Sequence, residues 1–288
     1  MAANVITTTT ADDLTYAAAL LNQAIIDALY ELNVFEPLVR KESIASVNSK
    51  ALDFPKTPKL AAASVAEGVD LTYTPFVTSK TTITAGEVGI VLTPTDVANV
   101  SLIVGNPYYA AEAAKAMANK LSTDIAALAA GFSQQCGATT VNLSEQNILD
   151  GITLLMAGSV PGPYRAVLHP QQWNDFAAGI GATINPVGYG TSSRGESNQY
   201  GAVPDGGLGR FYGVDWVVSA AVPTATAGAD RLGMMVCPSR ALGMVEKWSS
   251  RTELERDASL RATEIVVTAN YGVGEIDDLS GIGILTDA

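Results

Sequence analysis

Polar and apolar residues alternate over the stretch from residue 71 to residue 84. Its even-numbered positions are almost all polar, and its odd-numbered positions are mostly apolar, with Ser79 and Thr81 as exceptions. Alternation of this kind predicts a β-strand with one covered face and one solvated face. A second alternating run, EVGIVLTP, follows Gly86 and predicts a further strand. No neighbouring sequence completes a sheet around the first strand, so its apolar face needs a partner surface.

Two long segments carry helical periodicity instead. Apolar residues spaced by three and four within 14–32 predict an amphipathic helix that ends before Pro37. A second helix is predicted over about 107–130, with Asn106 as its N-cap and Gly131 as its C-terminal stop. Its apolar stripe consists of Met117, Leu121, Ile125 and Leu128. At 1.5 Å per residue this second helix is a rod of about 36 Å.

Shorter helices and strands alternate between residues 143 and 245. The pattern predicts a helix capped by Ser144, a buried strand in YRAVLHP, a helix in QQWNDFAAGI, and strands in RFYGVDWVVSAAVP and RLGMMVCPSRALGMVEKW. Residues 181–210 are rich in Gly, Asn and Ser without periodicity, which predicts a long loop. Residues 246–264 hold nine charges of mixed sign ahead of a final strand. They indicate either a solvated face or a polar interface between subunits.

Composition and charge narrow the class of protein. With 288 residues and 48% hydrophobic content, the chain has enough apolar surface for a packed core and is not a disordered polymer. A net charge of −12 argues against a dedicated nucleic-acid binder. No segment reads as a membrane span and the N-terminus lacks a secretory signal, so we expect the protein in the cytoplasm where it is made. The two cysteines, Cys136 and Cys237, favour reduced structural thiols.

The sequence offers little for catalysis. Its one histidine, His169, lies between an apolar strand and Pro170, where a capping or packing role is far commoner than general-base catalysis. The segment GGLGRFYG lacks the spacing of a dinucleotide fingerprint and precedes a strand, so we interpret it as a tight turn. We assign no catalytic, cofactor-binding or metal-binding residue and predict no enzymatic activity. An alternative from another class is a soluble hydrolase that uses His169.

The parts of the chain follow one another in a recognisable order. An N-terminal arm precedes a two-stranded excursion with AEG near its tip, which returns into the long helix; an α/β region and a final strand follow. The individual motifs are Glu67-Gly68, His169-Pro170, Gly213 within GVDWVVS, and Tyr271-Gly272-Val273. In this order the chain resembles, over nearly its whole length, the major capsid protein of tailed double-stranded DNA phages.

That resemblance implies an α+β fold of the Hong Kong 97 type with four regions. They are an N-terminal arm with an amphipathic helix (1–45), an extended E-loop hairpin (46–98), a P-domain with the long spine helix (99–142 and 246–288), and an α/β A-domain (143–245) with a flexible loop at about 181–210. The E-loop of such a protein lies across the neighbouring subunit, so the resemblance implies that another subunit covers the apolar face of the strand at 71–84. The implied function is a structural subunit that assembles through hexamers and pentamers into an icosahedral shell around packaged double-stranded DNA. An encapsulin-like shell around protein cargo is the alternative within the same fold.

The resemblance also implies partners and a location. The partners are copies of the chain itself, a separate scaffolding protein, a portal, a possible decoration protein, and DNA bound without sequence specificity, with no membrane. The location is the virion capsid, and the host cytoplasm during assembly. Because the first predicted helix begins near Asp12, we expect no N-terminal scaffolding segment, and hence a separate scaffolding protein or none. Some relatives join subunits by Lys–Asn bonds, but Lys56, Lys59 and Lys80 match no cross-linking position, and none is assigned.

Overall fold

A computed structural model describes residues 34–56, 60–71, 73, 75–96, 105–183, 207–228 and 230–287. Within these ranges the helices are α1 (Gly105–Ala127), α2 (Glu145–Ala157) and α3 (Pro170–Thr183). The strands are β1 (Val39–Ser43), β2 (Ala51–Lys56), β3 (Ser79–Thr84), β4 (Gly86–Leu92), β5 (Gln135–Gly137), β6 (Tyr164–Leu168), β7 (Gly207–Phe211), β8 (Val214–Val218), β9 (Thr224–Ala225), β10 (Asp230–Val236), β11 (Leu242–Asp257), β12 (Ala262–Glu275) and β13 (Gly281–Asp287). The helix predicted over 14–32 lies outside the described residues.

The first sheet is built on a long hairpin and has the strand order β1-β11-β12-β4. β1 runs parallel to β11, whereas the other neighbouring strands are antiparallel. The mixed-sign charges predicted to precede the final strand lie mostly on β11 itself, a strand of 16 residues. On β12, alternate side chains point into the core, and Ile265, Val267 and Ala269 are buried there.

The predicted spine helix is confirmed as α1, which continues as a 3-10 helix over Leu128–Gly131. It begins at Gly105, before the predicted start, so Asn106 lies within the helix and is not its N-cap. Its predicted apolar stripe packs into the same core as β12, with Met117, Leu121 and Ile125 buried. Alanines on the same face are also buried, and such small side chains let the helix lie close to the sheet. The Tyr271 hydroxyl of β12 donates a hydrogen bond of 2.9 Å to Asp124 of α1, which fixes the helix against the strand.

The second sheet has seven strands, with the order β5-β13-β10-β6-β8-β7 and β9 paired to β10. β6 is parallel to β8 and β13 is parallel to β5, while the remaining pairs are antiparallel. The helices α2 and α3 pack on this sheet through one core. That core includes Ile148, Leu155, Leu168, Phe176 and Trp216, all of which are at most 1% exposed.

Local signals at the start of α2 and α3 are confirmed. The Ser144 hydroxyl accepts a hydrogen bond from the Asn147 amide at 3.3 Å, as an N-cap does. The YRAVLHP segment forms the buried strand β6 and leads into α3 as predicted. The sequence therefore predicts this part of the second sheet well.

The predicted loop over 181–210 was too long at both ends. α3 continues to Thr183, and Gly207 already begins β7, which pairs with β8 through its backbone despite its glycines. Residues 184–206 lie outside the described residues. The tight turn predicted in GGLGRFYG is confined to Tyr212 and Gly213, both at positive φ.

Strand pairing links the regions predicted from the sequence. β4, which falls in the predicted hairpin region 46–98, hydrogen-bonds to β12 in the first sheet. β13, which falls in the predicted range 246–288, lies between β10 and β5 in the second sheet. Both sheets therefore draw on distant parts of the chain, and the region boundaries stay predictions.

Candidate assembly surface

The two-stranded excursion exists, but its regular part is short. β2 pairs antiparallel with β3 from Ala51 opposite Thr84 to Lys56 opposite Ser79. The strand predicted to begin near residue 71 begins only at Ser79, and the described part of 60–78 contains no strand. Pro75 has no amide hydrogen to donate to a ladder, which explains why pairing does not extend through it.

The alternation within β3 is confirmed, but its apolar face is covered by the same chain. Ile83 is 4% exposed and packs with Phe54, Ile44 and Val245 in a third small core, whereas Thr82 points to solvent. The expectation that another subunit covers this strand was therefore wrong for β3. Its apolar face lies on the first sheet, beside β11 and β12.

Glycines of the first sheet make room for the hairpin base. A Cβ atom on Gly272 would lie 2.2 Å from the backbone oxygen of Thr84. A Cβ atom on Gly274 or on Gly243 would lie 3.0 Å from side-chain carbons of Ile83. The glycine of the Tyr271-Gly272-Val273 motif thus has a physical role, because only a residue without a side chain lets β3 sit this close.

Beyond the base, the excursion carries apolar side chains that nothing in the described chain covers. We call residues 60–78 the arm; every described side chain in it is exposed. Leu71 is 79% exposed and Tyr73 is 86% exposed. The other large apolar side chains are Leu60, Val65, Val69, Phe76 and Val77. Single exposed apolar residues are ordinary, but seven on one projecting segment indicate an interaction surface.

The tip of the arm is an acidic turn. Glu67 and Gly68 form the turn, with Gly68 at φ +82°, and the Val69 amide donates to the Ala66 oxygen at 3.2 Å. Glu67 and Asp70 are exposed there, and neither forms an ion pair with any described residue. The predicted Glu67-Gly68 position at the tip is therefore confirmed.

At the hairpin base a cleft of about 400 Å³ opens between β2, β3 and the C-terminal end of α2. Three cationic side chains line it, those of Arg40, Lys56 and Arg240, against one carboxylate, that of Asp277. Lys56 forms an ion pair of 2.9 Å with Asp277. No sequence pattern predicts this cleft, because the cationic residues that line it are separated by up to two hundred positions and share no motif.

The charges of the cleft are partly compensated. Asp277 accepts hydrogen bonds from Lys56 and, at 2.6 Å, from the Ser280 hydroxyl. Burial alone would raise the pKa of the Asp277 carboxyl, but these two hydrogen bonds, together with the charges of Lys56 and Arg240, hold its pKa below the usual range. Arg40 pairs with Glu42 at 2.8 Å. The exposed guanidinium of Arg240 forms no ion pair with a described residue.

His169 has a structural role at the start of α3. Its Nδ1 accepts a hydrogen bond of 3.2 Å from the Gln171 amide, while its own amide donates to the Gln172 side chain at 3.0 Å. Burial, with a smaller effect of the nearby Arg231 charge, lowers the pKa of the imidazole. In the described part of the chain no hydroxyl, thiol or carboxylate hydrogen-bonds to this ring. The described residues around His169 therefore offer the hydrolase alternative neither a nucleophile nor an acid that would orient the ring.

The two cysteines also have a structural role. Cys136 and Cys237 are buried free thiols, and burial followed by the charge of Asp150 raises the pKa of Cys136 to about 12. No described helix is long and apolar enough to cross a membrane. No three described His, Cys, Asp or Glu side chains are grouped so that they would hold a metal ion.

Comparison with known proteins identifies the fold. No protein-family model matches the chain, and no curated protein sequence matches it. Solved structures do: the capsid of cyanophage P-SCSP1u is 16% identical with a TM-score of 0.63, over 88% of each chain. The acid-stable capsid of Helicobacter pylori bacteriophage KHP30 is 13% identical with a TM-score of 0.67, over 90% of this chain and 91% of that one. The capsid of a native GTA particle is 12% identical with a TM-score of 0.61, over 90% and 91%.

These similarities extend over nearly the whole chain, as the resemblance in the sequence implied. They fit the arrangement described above, in which a long helix lies on a sheet, a second α/β sheet follows, and a hairpin projects from the first sheet. The chain has the α+β, Hong Kong 97-type fold of tailed-phage capsid proteins.

Proposed function

We propose that this protein is a major capsid protein, which self-assembles through hexamers and pentamers into the icosahedral shell that encloses packaged double-stranded DNA. The observation that carries the proposal is the exposed apolar arm on a firmly packed base. The fold it shares with capsids of phages and of a GTA particle supports the same conclusion.

The arm explains why a single copy is incomplete. Its apolar side chains remain in water in the isolated chain, and covering them on another molecule is favourable at roughly 25 cal/mol per Å². The base, by contrast, is fixed by Ile83 and Phe54 in the chain's own core. The arm of one copy and the surface that receives it on the next copy form a heterologous contact. Such a contact builds a ring when the rotation between neighbouring copies closes.

The remaining features fit a container better than an enzyme. We propose that the protein has no enzymatic activity, since His169 caps a helix and none of the described residues completes a catalytic site around it. A net charge of −12 suits a shell that holds DNA without clamping it, so DNA would be bound without sequence specificity. We favour packaged DNA over the protein cargo of an encapsulin-like shell because the similar structures are capsids of phages and of a GTA particle.

Partners and regional roles follow from the same proposal. A portal, a separate scaffolding protein and possibly a decoration protein would act with the shell, which would form in the host cytoplasm and end in the virion. The first sheet with α1 corresponds to the peripheral domain, the second sheet with α2 and α3 to the axial domain, and the hairpin with the arm to the E-loop.

Assembly of the purified chain tests the proposal. Size-exclusion chromatography with light scattering, followed by negative-stain microscopy, should show closed particles for the intact chain. A chain that remains a monomer of about 30 kDa at every concentration would contradict the proposal.

A shortened arm is the matched variant. Deleting residues 61–77 should leave a folded protein that forms no shells, because the deletion spares β3 and buried Ile83. A deletion that reached Thr84 would also remove part of the core, and is therefore unsuitable. Particles of normal size from the 61–77 deletion would show that the arm has no role in assembly.

A further inference from the structure

Two regions of opposite charge lie at opposite ends of the projecting hairpin. The cleft at its base is lined by Arg40, Lys56 and Arg240, with Asp277 as the single carboxylate. The turn at its tip carries Glu67 and Asp70 without an ion pair among the described residues, on a chain whose net charge is −12. We call these the basic cleft and the acidic tip.

The cleft retains positive charge after its internal pairs are counted. Asp277 compensates Lys56 at 2.9 Å, and Glu42, outside the cleft lining, compensates Arg40 at 2.8 Å. Arg240 forms no ion pair in the described part of the chain and its side chain is exposed, although its charge also helps to lower the pKa of the nearby Asp277 carboxyl. Hydroxyls of Ser79, Ser159, Ser239 and Ser280 also line the cleft. This combination of cations and hydroxyls suits a carboxylate.

Glu67 and Asp70 at the tip are the only carboxylates in the sequence of the arm. In this chain the tip stands away from the body, because every described side chain from 60 to 71 is exposed. From Gly68 back to Val77, which itself lines the cleft, the chain spans at most about 30 Å. The acidic tip and the cleft of one copy therefore lie within about 30 Å of each other along the arm.

We propose that the acidic tip of one copy docks in the basic cleft of a neighbouring copy, with Glu67 and Asp70 facing Arg240. This inference rests on the proposed shell function and names the contact that the arm makes. The tip and the cleft are different surfaces of the same chain, so the contact is heterologous, and repeating it around an axis closes a ring. Each subunit then gives one tip and receives one.

Charge complementarity of this kind governs register and salt dependence more than total affinity. An exposed ion pair changes a contact by at most about fivefold, so reversing one partner's charge should weaken each contact by about five- to tenfold. Apolar burial along the arm would supply most of the remaining affinity. High salt should reduce the difference between the variants.

Charge reversal and restoration test the proposal in the full-length chain. The variants are Arg240→Glu, the double substitution Glu67→Lys with Asp70→Lys, and the combination of all three. The measurement is the protein concentration at which particles appear by light scattering, at low and at high salt. We expect each one-sided variant to need about five- to tenfold more protein at low salt, and the combined variant to recover most of this loss.

Two controls separate the contact from net charge and from folding. Glu87→Lys and Lys50→Glu make the same kinds of charge change at exposed residues outside the tip and the cleft, and should leave assembly unchanged. The thermal midpoint of every variant should match the parent, because the substituted side chains are exposed. Equal effects from these controls would overturn the proposal, since net charge would then explain the result.

The other outcomes are also decisive. If the parent forms particles and the one-sided variants assemble as it does, the tip does not dock in the cleft, although the shell function stands. The same conclusion follows if both one-sided variants are impaired and the combined variant is not restored. If Arg240→Glu changes only DNA retention, the cleft binds phosphate and not a carboxylate. If the parent itself never assembles, the shell function fails first.

Discussion

Replacing Leu71 and Tyr73 of the arm by serine should weaken assembly at least a hundredfold without harming the fold. Full burial of a leucine side chain contributes about 1.5–3 kcal/mol. Leu71 is 79% exposed and Tyr73 is 86% exposed, so most of that contribution is still unrealised in the single chain. If a neighbour covers both, their loss costs about 3 kcal/mol per contact, which corresponds to about 150-fold in the association constant.

The assay compares assembly and stability in the same preparations. Particle formation is followed by light scattering as a function of protein concentration, and unfolding by circular dichroism in denaturant. The double variant should need at least a hundredfold more protein to assemble, while its denaturant midpoint should equal that of the parent. The matched control is Ile83→Ala at the hairpin base, where the side chain is 4% exposed.

The control should behave in the opposite way. Removing a buried isoleucine side chain typically costs about 2–5 kcal/mol of folding free energy, so Ile83→Ala should lower the denaturant midpoint. The reasoning is refuted if Leu71→Ser with Tyr73→Ser unfolds as readily as Ile83→Ala, since the arm would then pack on its own chain. It is refuted equally if the double variant assembles like the parent.

Three further predictions concern single residues. Gly272→Ala should destabilise the fold by more than about 2 kcal/mol, because the new Cβ would lie 2.2 Å from the Thr84 oxygen. Gly86→Ala should be near neutral, because its Cβ would have nothing within 4 Å. Equal denaturant midpoints for the two variants would contradict this prediction. Burial raises the pKa of the Cys136 thiol to about 12, so at pH 8 this thiol should resist iodoacetamide until the protein is denatured. Rapid labelling of the native protein would contradict the burial of this thiol. The pKa of His169 is lowered in the folded protein, so its imidazole resonance should titrate below 6.5. The contribution of this group to folding stability should be complete above its pKa in the unfolded chain and should be lost as the pH falls through its pKa in the folded protein. A titration above 6.5 would contradict the helix-capping role of His169.

Local sequence signals predicted much of the fold. The stripe of Met117, Leu121 and Ile125 and the stop at Gly131 located α1, because helical periodicity and capping act within a few residues. The alternation in β3 correctly separated buried Ile83 from its solvated neighbours. These features depend on residues that are close together in the chain, so they can be predicted from a single sequence.

Contacts between distant segments were not predictable in this way. The sequence predicted a strand whose apolar face needed another subunit, whereas β3 lies on its own sheet beside Gly272 and Gly274. The basic cleft brings Arg40 and Arg240 together from opposite ends of the chain. Neither arrangement leaves a periodic pattern, because each depends on how the two sheets and the hairpin meet.

The most direct test of the account is the position of the arm in an assembled particle. An electron-microscopic reconstruction of purified particles, with the described chain fitted as a rigid unit, would locate residues 60–78 of each copy. We expect Leu71 and Tyr73 to lie covered on the surface of a neighbouring copy, across a boundary between subunits. Density that instead shows the arm folded on its own chain, or projecting uncovered into solvent, would contradict it.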